Sequence, residues 1–334
     1  MDAERALRTV AFHLERAGEP TYRVAAFRRA AEVVGGLSED ELGARVRRGT
    51  LTELKGIGKR TAEVIADAVA GREPEYLTKL LARAEPDVSG GSELLAALTG
   101  DCHSHSDWSD GGSPIREMAE AARELGHEWL ALTDHSPRLT VARGLSADRL
   151  AEQLDVVAEL NAELAPFRIL TGIEVDILDD GALDQEPELL AELDIVVASV
   201  HSKLRMSERA MTRRLLTAVS NPRVNVLGHC TGRLVVGKGR PESEFDADAV
   251  FDSCHEHDVA VEINSRPDRL DPPRRLLRRA LEARCRFAID SDAHAPGQLA
   301  WQRYGCARAE ECGVPPERVV NTWSADDVVA WARG

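Results

Sequence analysis

The chain has 334 residues, 43% of them hydrophobic but only 4% aromatic, with a net charge of −15 and 6 cysteines. That length holds one barrel-sized domain and a small companion, and the acidic balance argues against a protein that coats nucleic acid with its whole surface. No run is long and apolar enough to span a bilayer, the first residues lack a signal-peptide pattern, and no cysteines form a C-x-x-C pair. A cytoplasmic protein with reduced thiols and no membrane partner is expected.

Residues 3–16 and 22–34 place apolar side chains at three- and four-residue spacing, punctuated by Gly18, Pro20, Gly35 and Gly36, which predicts helices. Ser38-Glu39-Asp40-Glu41 opens another in a capping-box pattern. A helix pair over 50–70 flanks Gly56-Ile57-Gly58, and a helix over 73–84 closes an all-helical module. Glycines let the backbone turn sharply and come close to a phosphate. The following helix offers its first N–H groups to that phosphate. This helix-hairpin-helix pattern predicts DNA contacts at Gly56, Gly58, Lys59 and Arg60. Contacts of this kind go to the backbone, lack sequence preference and weaken with salt. The bland alternative is a helical packing domain that holds a neighbour, and the sequence names no protein partner.

Breakers from Pro86 to Ser92 predict a linker over 87–97 between a helical module at 1–86 and a second module at 98–334. Residues 1–90 balance 15 Lys and Arg with 15 Asp and Glu, whereas the remainder holds 27 against 42, which is the whole net charge. After a first strand running into Asp101, apolar runs at 129–132, 168–172, 195–200, 224–227, 259–261 and 287–289 read as buried strands. Helical patterns at 114–125, 147–164, 207–219 and 246–257 alternate with them. Such alternation indicates an α/β fold, a parallel sheet with helices outside it, and seven units suggest an incomplete or distorted barrel.

Every one of these strands runs into a His, Asp or Glu, and a parallel barrel gathers its C-terminal strand ends on one face. Six of the 10 histidines lie there: His103, His105, His135, His201, His229 and His294. Asp110, Glu174 and Asp292 accompany them. A lone loop histidine is usually structural; six on one face with three carboxylates predict a metal site. Alternate side chains of an extended segment share a face, so His103 and His105 can serve one cation, as can Asp292 and His294. A carboxylate such as Glu174 can bridge two cations. Mixed imidazole and carboxylate donors suit zinc, manganese or iron, and phosphoester hydrolysis is the natural reaction class. Arg233 and Arg269 are the expected phosphate clamps, because a guanidinium grips phosphate with two hydrogen bonds. Asp134 is expected to orient a ligand from behind, with Glu262 and Asp290 also outside the donor set.

The segments His103-Ser104-His105, Ser109-Asp110-Gly111, Thr133-Asp134-His135, Gly172-Ile173-Glu174, Ser199-Val200-His201, Gly228-His229 and Asp292-Ala293-His294 resemble the ordered motifs of the PHP (polymerase and histidinol phosphatase) family. The resemblance implies a distorted (β/α)7 barrel holding three divalent metal ions. It places His103, His105, Glu174 and Asp292 around one ion. Glu174, His201 and His229 would surround a second, and Asp110, His135 and His294 a third. Within that family, Thr231-Gly232-Arg233-Leu234, Glu262-Ile263-Asn264, residues 267–271 and Asn321-Thr322-Trp323 look like the C-terminal domain of bacterial family X DNA polymerases. Residues 22–31 and 54–59 resemble the small helical domain of the same polymerases. Two departures matter. The join leaves no room for fingers, palm and thumb, so polymerase activity is not implied. The lysine that forms a Schiff base in some relatives aligns with Val64, so lyase activity is not expected.

The expected function is a metal-dependent phosphoesterase of DNA repair: a 3′→5′ exonuclease, or an end-processing or abasic-site nuclease. The alternative is a phosphomonoesterase for a small metabolite of the histidinol phosphate type, for which the helical module has no obvious use. A relict, non-enzymatic DNA-binding protein is disfavoured because every donor position is filled.

Overall fold

The computed structural model describes residues 2–82 and 88–334, and the chain forms two compact units that divide after residue 87. The first unit is all helix: α1 (Ala3–Arg16), α2 (Thr21–Gly35), α3 (Glu39–Arg48), α4 (Lys59–Val69) and α5 (Glu75–Leu81). Asp2 and Ser38 start α1 and α3 by accepting the N–H groups of Arg5 and Glu41, the usual service of an N-cap side chain. The apolar faces meet in a core that includes Leu7, Val10, Leu14, Phe27, Val34, Ile57 and Ile65. Val64, where a Schiff-base lysine would stand, is part of that core. The last expected helix begins two residues later than its pattern, and its positions 83–84 lie outside the described residues, as does residue 87 of the expected linker.

The remainder of that linker is not open chain. Residues Ser92–Ala97 form a sixth helix, α6, and Leu94 and Leu98 sit in the same core cluster as Cys306 and Ala309. Ser-Glu-Leu-Leu-Ala-Ala contains good helix formers, and the breakers before it serve as its entry. Gly91 has φ +75°, and a Cβ there would lie 2.4 Å from the Ala307 backbone nitrogen. The close approach needs a glycine, which explains the breaker without a flexible join.

Seven parallel strands follow in sequential order: β1 (Gly100–Asp101), β2 (Trp129–Leu132), β3 (Arg168–Asp176), β4 (Ile195–Ser199), β5 (Val226–Leu227), β6 (Ala260–Asn264) and β7 (Phe287–Asp290). A helix lies in each connection, as a parallel β-α-β chain requires, so the unit is a distorted (β/α)7 barrel. Alternation along the strands explains its interior. Ala131, Leu170, Val197, Ala260 and Ala288 share one buried cluster. The same face of β3, β6 and β7 then carries Glu174, Glu262 and Asp290 at two- or four-residue steps. Apolar filling thus gives way to ionisable groups at the strand ends.

The seam between β1 and β7 lacks a full ladder and is closed by other means. Ser104 and Ala293 form a single bridge, and His105 N–H donates to Ala293 O at 2.8 Å. Lower down, the fully buried Asn321 accepts from Ile289 N–H at 2.6 Å and donates toward Gly100 O and Ile289 O at 3.2 and 3.1 Å. Gln302 supplies a second amide to the same two carbonyls, at 3.1 and 2.8 Å.

Candidate metal centre

The nine expected donors come from six of the seven strand ends, β6 giving none of them, and gather around one carboxylate. Ser104 fixes the first pair: its hydroxyl donates to Ala131 O at 2.7 Å and its N–H to Thr133 Oγ1 at 3.0 Å, leaving His103 and His105 to face the barrel mouth together. Glu174 sits at the centre, 1% exposed. Its Oε2 lies 3.4 Å from His103 Nε2, 3.6 Å from His105 Nε2 and 2.8 Å from His135 Nδ1. Its Oε1 lies 3.2 Å from His201 Nε2 and 2.9 Å from His229 Nε2. Asp292 closes the first group, with Oδ1 at 3.5 Å from His105 Nε2 and 4.0 Å from His103 Nε2. Its φ of 51° is in the left-handed region, which Asp tolerates better than most residues and which is favoured where a site dictates the backbone. Asp110 Oδ1 is 3.5 Å from His135 Nε2 and 3.3 Å from His294 Nε2.

Among the described residues, three sets of side chains are compact enough to hold a cation each: His103, His105 and Glu174; His135, Glu174 and His201; and His105, Asp110, His135 and His294. His105 and His135 each stand between two of these sets.

Several imidazole nitrogens here are buried without a hydrogen bond: His103 Nε2, both nitrogens of His105, His135 Nδ1 and His229 Nδ1. His135 Nδ1 is 2.8 Å from Glu174 yet not aligned as a donor to it. Buried polar atoms are rarely left so, and lone pairs that approach each other without sharing a proton fit a common cation. The charges of the cluster act on one another in both directions. Burial opposes the charged form of Glu174, but His201, His103 and His135 hold its pKa well below the usual carboxylate range. Burial likewise opposes charge on His201, but Glu174 and Asp176 raise it to about 9. His229 falls to about 4 through burial and the nearby Arg269. His105 is driven well down by burial and by its neighbours His294 and His135. Imidazole and carboxylate donors of this mix fit divalent transition metals.

Asp134, expected to orient a ligand from behind, ties down the loop that bears Asp110. It accepts from Ser106 N–H at 2.8 Å, Ser106 Oγ at 2.6 Å and Gln153 Nε2 at 2.7 Å, and also from Ser109 Oγ. The two clamp arginines part company. Arg233 donates through Nε to Arg269 O at 3.1 Å and through Nη2 to Leu270 O, with Nη1 facing Glu242. Its guanidinium holds the 269–270 backbone. Arg269 Nε lies 3.3 Å from Asp292 Oδ2, and its Nε and Nη1 are buried without an aligned hydrogen bond. Arg266 reaches the same carboxylate, with Nη1 at 3.6 Å from Asp292 Oδ1 and 3.1 Å from His294 Nδ1. It is not among the expected clamps, since neither spacing nor composition tells which of several loop arginines turns inward. Asp176 is not among the expected residues either, although the two-residue step from Glu174 on β3 is a usable signal.

In the helical unit, Gly56 has φ +103° and packs against the Arg29 and Val33 side chains. The Gly58 N–H donates to Thr61 Oγ1 at 2.9 Å at the start of α4. Lys59 and Arg60 are exposed. Arg60 pairs with Glu63 at 2.9 Å and lies 5.5 Å from the Tyr76 ring centroid.

Comparison with known proteins gives two family matches: the PHP domain over residues 101–266 and a helix-hairpin-helix domain over residues 2–73. A DNA polymerase/3′-5′ exonuclease (PolX) of Bacillus subtilis is 41% identical over 72% of this chain, and the alignment spans 42% of that relative's length. A probable phosphatase of Syntrophotalea carbinolica is 27% identical over 66% of this chain and 90% of its own. Another probable phosphatase, of Caldanaerobacter subterraneus, is 29% identical over 68% and 88%. A histidinol phosphate phosphatase of Lactococcus lactis, solved with zinc, L-histidinol and phosphate, matches with a TM-score of 0.45 and 19% identity, covering 65% of this chain and 94% of that one.

Proposed function

The chain joins a helix-hairpin-helix domain to a PHP domain, and from that pairing we propose a phosphoesterase that uses three divalent ions (zinc, manganese or iron) to hydrolyse DNA at strand ends or abasic sites. The activities meant are a 3′→5′ exonuclease or an end-processing nuclease in repair, without polymerase activity. The observation that carries the reading is Glu174, a buried carboxylate with five imidazoles around it, four of them members of the prospective cation sets. His103, His105, Asp110, His135, Glu174, His201, His229, Asp292 and His294 would hold the ions. Divalent ions in such a cluster acidify water and neutralise charge on phosphate oxygens.

The chain's own residues supply the remainder. Arg269 presents buried N–H donors beside Asp292, where a phosphate oxygen can accept them in place of water. Arg266 adds positive charge against Asp292 and His294. Asp134 keeps the Asp110 loop in place. In the helical unit, Lys59 and Arg60 would bring charge and N–H groups to a DNA phosphate at the start of α4, and Gly56 and Gly58 would let the backbone come close to it, without reading bases.

End-labelled single-stranded, gapped and abasic DNA should be shortened by the protein in manganese, and Asp292→Ala or His103→Ala should abolish this. Hydrolysis of small phosphomonoesters alone would overturn the DNA reading. One observation favours that second reading: the chain aligns with about nine-tenths of the length of the two probable phosphatases.

A further inference from the structure

Two buried carboxylates outside the nine donors stand behind histidines of the site. Glu262, fully buried, accepts from His103 Nδ1 at 2.6 Å, from the His229 backbone N–H, and from Asn264 Nδ2 at 3.3 Å. Asp176 Oδ1 faces His201 Nδ1 at 3.2 Å and accepts the His201 backbone N–H at 3.1 Å. Each carboxylate therefore binds one imidazole ring by Nδ1 and one strand-end backbone by its N–H.

We infer that Glu262 and Asp176 are positioning residues that fix the tautomers of His103 and His201, keeping the proton on Nδ1 and the Nε2 lone pair toward Glu174. An ionised carboxylate only accepts, so the ring nitrogen facing it must carry the hydrogen. A neutral imidazole has one such hydrogen, and the opposite nitrogen is then a bare donor atom. In both rings that opposite nitrogen is the one near Glu174, at 3.4 Å for His103 and 3.2 Å for His201. His103 Nε2 has no hydrogen-bond partner there. The two devices differ in reach. Glu262 ties the ring from β1 to the backbone after β5, two strand ends 126 positions apart in chain numbering by His103 and His229, whereas Asp176 grips the ring and backbone of a single residue. The inference rests on the metal reading of the site.

Substitution separates the carboxylate's chemistry from its bulk. In Glu262→Gln an amide with one acceptor oxygen meets three donors. Its NH2 must then face a donor, or His103 must move its proton to Nε2 and cease to be a ligand. Glu262→Asp keeps an acceptor-only group. The test is zinc titration of the full chain in competition with a chromophoric chelator, with bound zinc counted per chain, and 15N-histidine spectra of the zinc-loaded protein. Glu262→Gln should weaken one zinc about 10- to 100-fold, Asp176→Asn should weaken a different one, and Glu262→Asp should recover most of the loss. The wild-type spectra should show His103 and His201 protonated at Nδ1 and zinc-bound at Nε2. Thermal melts in chelator give the stability of each variant without metal. A lowered melt with undiminished zinc affinity would mean a merely structural role and overturn the inference, as would wild-type spectra with zinc on Nδ1. Should Glu262→Gln fail to fold, the wild-type spectra and Asp176→Asn decide. A wild-type protein that takes up no zinc or manganese would sink the metal reading itself, a separate failure visible before any variant is compared.

Discussion

His127 offers a stability switch far from the donor set. It lies just before β2, 9% exposed, with Nδ1 unpartnered and Gln302 as its hydrogen-bond partner. The Gln302 amide nitrogen already serves Gly100 O and Ile289 O, so the Gln302 oxygen is what remains for an imidazole N–H. A second proton on His127 would add a buried donor with nothing to accept it. Burial accordingly lowers its pKa from 6.5 to about 4, the Gln302 bond opposing only in part. The unfolded chain takes up that proton as pH falls below about 6.5, and the folded chain does not until about pH 4. Stability contributed by the neutral ring is thus complete above the unfolded pKa and drains away between these limits. A separation of about 2.5 units at about 1.4 kcal/mol each gives a ceiling of about 3.5 kcal/mol. At about 2–4 °C per kcal/mol for a unit of this size, the full effect moves the melting temperature about 7–14 °C. His127→Leu removes the titration and leaves a constant offset from the lost hydrogen bond. Melts of both proteins at pH 7.5, 6 and 4.5 should show the wild type losing progressively more stability than the variant, about three-quarters of that ceiling by pH 4.5. A difference that stays the same at all three pH values would refute the reasoning.

Asn321→Ala orphans the buried Ile289 N–H, while Gln302 still serves both carbonyls. The expected cost is about 1–3 kcal/mol in urea unfolding, more if the cavity stays open. Arg233→Ala should lower stability by releasing the 269–270 backbone, whereas Arg269→Ala should leave the melt nearly unchanged and cut kcat/KM for phosphoester cleavage by about tenfold or more. The opposite pattern in melts and kinetics would reverse their roles. Replacing both Lys59 and Arg60 by Ala should weaken DNA binding and flatten its salt dependence by about one or two units of slope; an unchanged slope would remove them from the interface.

Much of the barrel was legible because two periodicities alternate along it, and because strand ends in a parallel barrel must share one face. The donors stood out for the same reason: His103 with His105, and Asp292 with His294, obey the step of two. What stayed hidden depends on contacts between distant segments. Glu262 reaches His103 across 159 positions, and no local pattern tells an acid that holds an imidazole from one that holds a metal. Arg233, Arg266 and Arg269 look alike in sequence, and only the folded loops around Leu270 and Asp292, both with positive φ, decide which guanidinium faces inward. The 87–97 segment misled through its glycines, whose conformations serve a tight entry to α6 against Ala307.

The seam of the barrel sets an order in time. Gly100 meets the amide of Asn321 across 221 positions, so at about 5–20 residues per second the first strand waits about 10–45 s on the ribosome for the side chain that closes the ring. Through that interval β1, two residues long, carries His103 and His105 with only β2 and its successors to hold it. The donor cluster can exist in part before closure, but its two edges, at Ser104 and Ala293, meet only after most of the chain has been made.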